Sequence, residues 1–242
     1  MNGKGKIFFI HIPKTAGTSM RLMLYDIFEQ ESILPNLQDI KGNGGGYPQF
    51  DKLLGLINTH QKEHIKLVMG HYPFLPNALF FCPPQIFTFL RQPIARAISN
   101  LFHLKKYKAA HYKATLTEVF EANQRQMRNA QVRYLAGAIH KKDLDKNDLN
   151  VALYNMKQCH FVGITEKFEE SVKILEQLNG WKFPERVQAN VNYTDNTKEV
   201  PADLMDKIVE ANQLDVELYK QALFLFEEKN NQFSNSPLIE EI

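Results

Sequence analysis

Apolar residues fall along this chain in two rhythms. Short runs at Ile7-Phe8-Phe9-Ile10, Ile65 to Met69, Gln85 to Leu90 and Gln158 to Ile164 are dense in β-branched and aromatic residues and predict buried strands. Stretches with helical spacing separate them: Ser19 to about Gln30, Phe50 to His60, Ile94 to Tyr107, Glu166 to Leu178, and a last long helix that starts at Pro201 and runs to about Glu228. Asn179-Gly180-Trp181 stops the fourth of these, glycine being the residue that takes a left-handed helix end. Residues 115 to 158 read as mostly helical and charged, without a shift of composition that would mark a second domain. There are no internal repeats, so residues 1–242 are expected to form one domain, with a frayed tail over 230–242.

Two connecting segments break the rhythm. Pro35 and Asn36 lead to Lys41-Gly42-Asn43-Gly44-Gly45-Gly46-Tyr47-Pro48, where three consecutive glycines need outside contacts to hold one conformation; a plain connector and an acceptor-side flap are both open readings. Arg186 to Lys198, with Asn190, Asn192, Tyr193, Thr194 and Asn196, is polar and carries no helical stripe.

The most specific chemistry lies where the first strand ends. His11-Ile12-Pro13-Lys14-Thr15-Ala16-Gly17-Thr18-Ser19 is a tight turn opening into a helix, so its backbone N–H groups and the positive end of the helix dipole converge on an anion. Lys14 adds a mobile charge, and Thr15, Thr18 and Ser19 add hydroxyls. The nucleotide-hydrolase form of such a loop ends in a Gly-Lys pair before a metal-binding hydroxyl, and no such pair follows here. A second strand-loop-helix unit, Leu90-Arg91-Gln92-Pro93 with Ser99 eight residues after the arginine, offers a guanidinium and a helix-borne hydroxyl to a further phosphate. Between them, Gly70-His71-Tyr72-Pro73-Phe74-Leu75-Pro76 follows the second strand to the same sheet edge, where ligands of open α/β sheets bind.

These residues resemble the sulfotransferases that use 3′-phosphoadenosine 5′-phosphosulfate. Pro13-Lys14-Thr15-Ala16-Gly17-Thr18-Ser19 is similar to their 5′-phosphosulfate loop, in the form found in carbohydrate sulfotransferases related to heparan sulfate 2-O-sulfotransferase. Leu90-Arg91-Gln92-Pro93 with Ser99 resembles the 3′-phosphate motif, and His71-Tyr72-Pro73-Phe74-Leu75-Pro76 resembles the segment that carries the catalytic base. The likeness continues through Gln131 to Gly137, Phe161 to Glu166 and Leu214 to Tyr219. It implies a P-loop-containing three-layer α/β/α fold with a central, mainly parallel sheet. It also implies a donor nucleotide that leaves as 3′-phosphoadenosine 5′-phosphate, no required metal, and a hydroxyl acceptor of which a glycan is the first choice, with lipid, small-metabolite and peptide tyrosine acceptors open. Gln92 stands where an acidic residue often follows the arginine, and the base segment holds one histidine where the 2-O-sulfotransferases have two.

Bulk properties narrow the picture little. The 242 residues are 44% hydrophobic, enough for a sizeable core, and the net charge of +2 calls for neither nucleic acid nor a membrane surface. Lys105, Lys106, Lys108 and Lys113 cluster past the second phosphate helix, as a solvated helix end or a patch for an anionic acceptor. Two cysteines, Cys82 and Cys159, make no disulfide framework. No window has a run of about 18 apolar residues, and the first strand starts almost at once, so a cytoplasmic, bacterial-type member of the resembled family is expected. Oligomeric state is not legible.

Roles follow from charge development. Sulfuryl transfer by in-line displacement builds negative charge on the departing phosphate, which Lys14 is placed to meet while Thr15, Ala16, Gly17, Thr18 and Ser19 hold the other oxygens. An alcohol acceptor must lose its proton; His71 is the candidate base and His11, before the loop, is its rival, an acceptor contact or, as favoured, a residue that satisfies backbone groups at the first strand's end. Arg133 is a surface charge or a reach toward acceptor or nucleotide, and Asn192 is the nucleotide-side candidate in the polar 186–198 segment, which in the resembled enzymes folds over the nucleotide. His103 lies one helical turn past Ser99; Tyr193 and Trp181 are candidates to stack on adenine, with a core role favoured for the tryptophan beside Phe183. A degenerate P-loop kinase or NTPase and a non-catalytic nucleotide-binding module are the competing functions.

Overall fold

The structure, a computed structural model, describes residues 5–59, 64–75, 83–107, 113–183 and 196–234. Its centre is a sheet of five strands: β1 (Ile7–Ile10), β2 (Ile33–Leu34), β3 (Leu67–Gly70), β4 (Gln85–Leu90) and β5 (Phe161–Ile164). Their order is β2-β3-β1-β4-β5, and every pairing is parallel. All four residues of β1, β3 and β5 are buried, as are five of the six in β4. Since side chains alternate along a strand, burial of consecutive residues means that both faces of the sheet are covered, which is the three-layer α/β/α arrangement expected.

Around it lie α1 (Gly17–Ile27), α2 (Leu37–Gly42), α3 (Phe50–Thr59), α4 (Pro93–Tyr107), α5 (Leu116–Ala122), α6 (Gln124–Met127), α7 (Ala130–Leu135), α8 (Lys146–Gln158), α9 (Phe168–Asn179), α10 (Ala202–Ala211) and α11 (Gln213–Ser234). The main core joins the strands to α1, α3, α7, α8, α9 and α11, with Phe8, Phe9, Phe89 and Phe226 among its buried side chains. A second cluster, including Ile98, Leu101, Phe120, Met127, Leu204 and Ile208, packs α4 against α5, α6 and α10.

The predicted strand runs Ile7–Ile10 and Gln85–Leu90 lie where expected, the other two are strands over part of their length, and Gly180 ends α9 in the left-handed conformation with Trp181 N–H donating to Glu176 O at 3.0 Å. Three features differ. The edge strand β2 has only two residues, too few to show a period. Helix α2 starts on a capping box, Asn36 accepting from Asp39 N–H while the Asp39 carboxylate accepts from Asn36 N–H. The expected last helix is two helices, because Asn212 is buried at the break, its amide donating to Ile208 O and its carbonyl accepting from Asn129 N–H.

The topology positions the site. The chain leaves β1 toward β3 and β2 on one side and crosses to β4 and β5 on the other, so the loops after β1 and β4 open onto the crevice where the strand order reverses. Pairing of Ile10 with both Gly70 and Thr88 sets the register that makes His11 and His71 neighbours and brings the Arg91 loop beside the first turn.

Candidate active site

The turn after β1 is shaped by its backbone. Lys14 (φ 71°) and Ala16 (φ 62°) both occupy the left-handed region, which turns successive N–H groups toward one side in the manner of an anion nest. The first helical bond of α1 runs from Met20 N–H to Ala16 O, so the N–H groups of Gly17, Thr18 and Ser19 precede the ladder, with no acidic residue in the first turn to take them. Thr15 is buried and spends its hydroxyl proton on Ile12 O at 2.9 Å, a brace for the turn. Ser19 is buried at the helix start, while Thr18 is exposed at the rim.

Arg91 comes to this turn from the end of β4. Its Nη1 donates to the carbonyl of Lys14 at 3.3 Å, so the two motifs touch. The arginine's backbone is clamped by buried Gln131, whose Oε1 accepts from Arg91 N–H (2.8 Å) and whose amide donates to Arg91 O (2.9 Å). Gln131 in turn sits at the start of α7, where the buried Asp215 carboxylate accepts from the N–H groups of Gln131 and Val132. Gln92, the departure noted above, accepts from Ala95 N–H at the start of α4 and donates its own N–H to Glu166, which also accepts from Tyr219. Ser99 is half-buried two turns along α4. The side chain of Lys14 is partly desolvated beside Arg91, and burial first, then that second cation, lowers its pKa.

Next to the turn is an open cleft of about 550 Å³ whose lining includes Lys14, Thr18, Arg21, Tyr47, His71 and His103, together with Arg96, Arg125, Arg133 and Tyr134. No carboxylate lines it among the described residues. Arg91 and Ser99 stand outside this lining. His71 lies with its ring exposed to the cleft, and its Nδ1 donates to His11 O at 2.7 Å. That bond leaves Nε2 as the lone-pair nitrogen. Desolvation, ahead of the charge of Arg21, pulls the His71 pKa down to about 4. The ring is therefore neutral, a proton acceptor, at neutral pH.

His11 is buried where His71 is open, with ring centroids 4.4 Å apart. Its Nδ1 is 3.1 Å from the Tyr47 hydroxyl, and its ring lies against Gly17, where an added Cβ would fall 1.8 Å from His11 Cδ2. Burial, followed by the charges of His71, Arg21 and Lys14, drives its pKa well below the ordinary value. His11, though buried, forms part of the cleft's inner wall beside His71. The guanidinium of Arg133 donates to the carbonyls of Ala138, Lys141 and Lys142, fixing the turn after α7 while forming part of the cleft wall. His103 is exposed on the cleft side of α4. Trp181 is a core residue, edge-on to Phe28 and packed with Phe87 and Phe183. Lys105 donates to Ala114 O, a helix-end role. Asn192 and Tyr193 lie outside the described residues, as do Pro76, Lys108 and the tail beyond residue 234.

Sequence reasoning missed Tyr47 and Arg21. Arg21 had a signal, since it follows Gly17 by four residues and so shares its helix face; Tyr47 had only the glycines before it.

The model of the Sulfotransferase family matches residues 1–222. Among solved structures, a crystal structure of a sulfotransferase from Alicyclobacillus acidocaldarius is similar at 16% identity, covering 87% of this chain and 95% of that chain with a TM-score of 0.46. No curated protein matches the chain. Among the described residues no group of three His, Cys, Asp or Glu side chains is arranged to hold a metal ion, and no helix is long and apolar enough to cross a membrane.

Proposed function

We propose that this chain, which belongs to the sulfotransferase family, moves the sulfuryl group of 3′-phosphoadenosine 5′-phosphosulfate to a hydroxyl of a glycan acceptor. The observation that carries the reading is the contact of Arg91 with the Lys14 carbonyl, which joins the two candidate anion-binding turns beside a cleft lined by an exposed histidine. The residues suit a doubly phosphorylated nucleotide: nested N–H groups and a lysine at one end, an arginine and the Ser99 hydroxyl at the other, and no carboxylate in the adjoining cleft. When bound, that nucleotide supplies a sulfuryl group whose bond to the 5′-phosphate breaks as a bond to the acceptor oxygen forms.

The chain's own work is positioning, charge and one proton. Lys14 and the N–H groups of Gly17, Thr18 and Ser19 meet the charge that grows on the departing phosphate; removing a donor of this kind costs about 3 kcal/mol of transition-state stabilisation. His71 Nε2 takes the acceptor hydroxyl's proton, its Nδ1–H held on His11 O so that the ring cannot present the wrong nitrogen. Arg91 and Ser99 hold the distal phosphate and so set the depth to which the donor enters. The loop form, shared with carbohydrate sulfotransferases, supports a glycan over other hydroxyl acceptors.

The test pairs binding with turnover. The melting temperature should rise with 3′-phosphoadenosine 5′-phosphate and not with ATP and magnesium; the reverse pattern would make the chain a kinase-like enzyme. Label from the sulfuryl donor should pass to a glycan panel with wild-type protein. His71→Ala should lower that transfer by about 10²- to 10⁴-fold with nucleotide affinity within about twofold, whereas binding without transfer by the wild type would leave a nucleotide-binding module.

A further inference from the structure

The glycine loop delivers a side chain that the reaction as described does not use. Gly44 and Gly45 take left-handed φ values of 69° and 86° to end α2, their N–H groups donating to Lys41 O and Ile40 O. The Asn43 amide then donates to the carbonyls of Gly46 and Tyr47, and the Tyr72 hydroxyl donates to Pro48 O. Held on both sides, the loop lays Tyr47 beside the histidine pair, its ring edge-on to His11 (5.5 Å, 88°) and to His71 (4.9 Å, 82°). The Arg21 guanidinium lies 5.6 Å from the Tyr47 ring centre.

Charge sets the direction of this chain of contacts. With the Arg21 cation against it, the Tyr47 hydroxyl turns its oxygen toward the charge and its single proton toward His11 Nδ1. His11 is then the Nε2–H tautomer. Among the described residues no other side chain hydrogen-bonds the His11 ring, and the charged or titratable groups acting on it are Arg21, Lys14 and His71, none of them an acid. His11 matters to the base twice over: its ring packs against that of His71, and its carbonyl holds His71 Nδ1.

We propose that Tyr47 is a positioning residue, fixing the tautomer and ring orientation of His11 and through them holding His71 with Nε2 open to the cleft. The assignment rests on the sulfuryl-transfer reading for its effect on turnover, but not for its effect on His11. Tyr47→Phe keeps the ring of this half-buried residue and removes only the hydroxyl. Imidazole ¹⁵N spectra of the ligand-free protein should show the Nε2–H form of His11 in the wild type and a mixture of tautomers in the variant. In the transfer assay kcat should fall about 10- to 100-fold, the scale of a misplacement of about 1 Å, with KM for the donor nucleotide within about twofold. An unchanged His11 tautomer overturns the proposal, and so does a changed tautomer with wild-type kcat. If the wild type transfers nothing, the functional reading fails, while the spectra still decide what Tyr47 does to His11.

Discussion

Gly17→Ala isolates the close packing on which the base depends. The added methyl would lie 1.8 Å from His11 Cδ2, 2.0 Å from Nε2 and 2.5 Å from Cγ, while carbon atoms in contact sit about 3.5 to 4.0 Å apart. The ring must therefore retreat by about 1.5 to 2 Å. That retreat disturbs its neighbours: Phe9 stacks parallel to it at 5.8 Å, His71 is at 4.4 Å, and a shift of that size breaks the bond to Tyr47. Overpacking costs about 1–3 kcal/mol, and a buried imidazole nitrogen left unpaired adds about 1 kcal/mol or more. Alanine recovers at most about 1 kcal/mol of helix propensity. The net loss is about 2 kcal/mol, which lowers the melting temperature by about 4–8 °C in a chain of this size. The assay is a double-mutant cycle with His11→Ala, read by thermal and urea denaturation, because contacting residues couple and distant ones add. Gly55→Ala is the control: nothing lies within 4 Å of its new methyl in α3, and it should stabilise by about 0.5–1 kcal/mol. If Gly17→Ala destabilises as much without the imidazole as with it, the steric account is refuted.

Three further outcomes follow from the same geometry. Arg91→Ala should weaken 3′-phosphoadenosine 5′-phosphate by about 10- to 100-fold, the worth of a charged hydrogen bond, yet leave adenosine 5′-phosphosulfate, which lacks the 3′-phosphate, almost unchanged in calorimetry. Gln131→Leu strips both partners from the Arg91 backbone and should cost about 2 kcal/mol in urea unfolding, with nucleotide affinity falling alongside. His71, lowered to about 4 when folded, stays neutral where its unfolded counterpart, near 6.5, takes up a proton, so its contribution to stability is present above about 6.5 and is lost as the pH falls toward 4. Melting temperatures of wild type and His71→Gln should thus draw together between pH 7 and pH 5, and a gap that stays constant would contradict a lowered His71 pKa.

What the sequence displayed and what it hid divide along physical lines. Strands β1 and β4 are dense apolar runs bounded by charged residues or by proline, and the turns after them carry residue types with few other uses in such order; both were legible. Tyr47 was not, because its place depends on how three glycines close the end of α2, and glycine's freedom conceals direction. Asn212 was hidden for another reason: it sits in helical spacing and becomes a break only through its tertiary bonds to Asn129 and the adjoining Asp215 cap. Arg133 looked like a side chain reaching outward, yet the carbonyls it holds lie five to nine residues ahead in its own chain, a fact visible only once the turn at 138–142 is folded.

The anchor of His71 is a main-chain oxygen, and that has an evolutionary corollary. Every amino acid possesses a carbonyl, so no single codon change at position 11 can delete the acceptor that keeps the imidazole in its working tautomer; only a rearrangement of two adjacent strands would do so. Under the proposed function, drift among descendants of this gene is therefore free to reshape the walls around the histidine and to seek new acceptors, while the oxygen that holds the candidate base is inherited with the backbone itself.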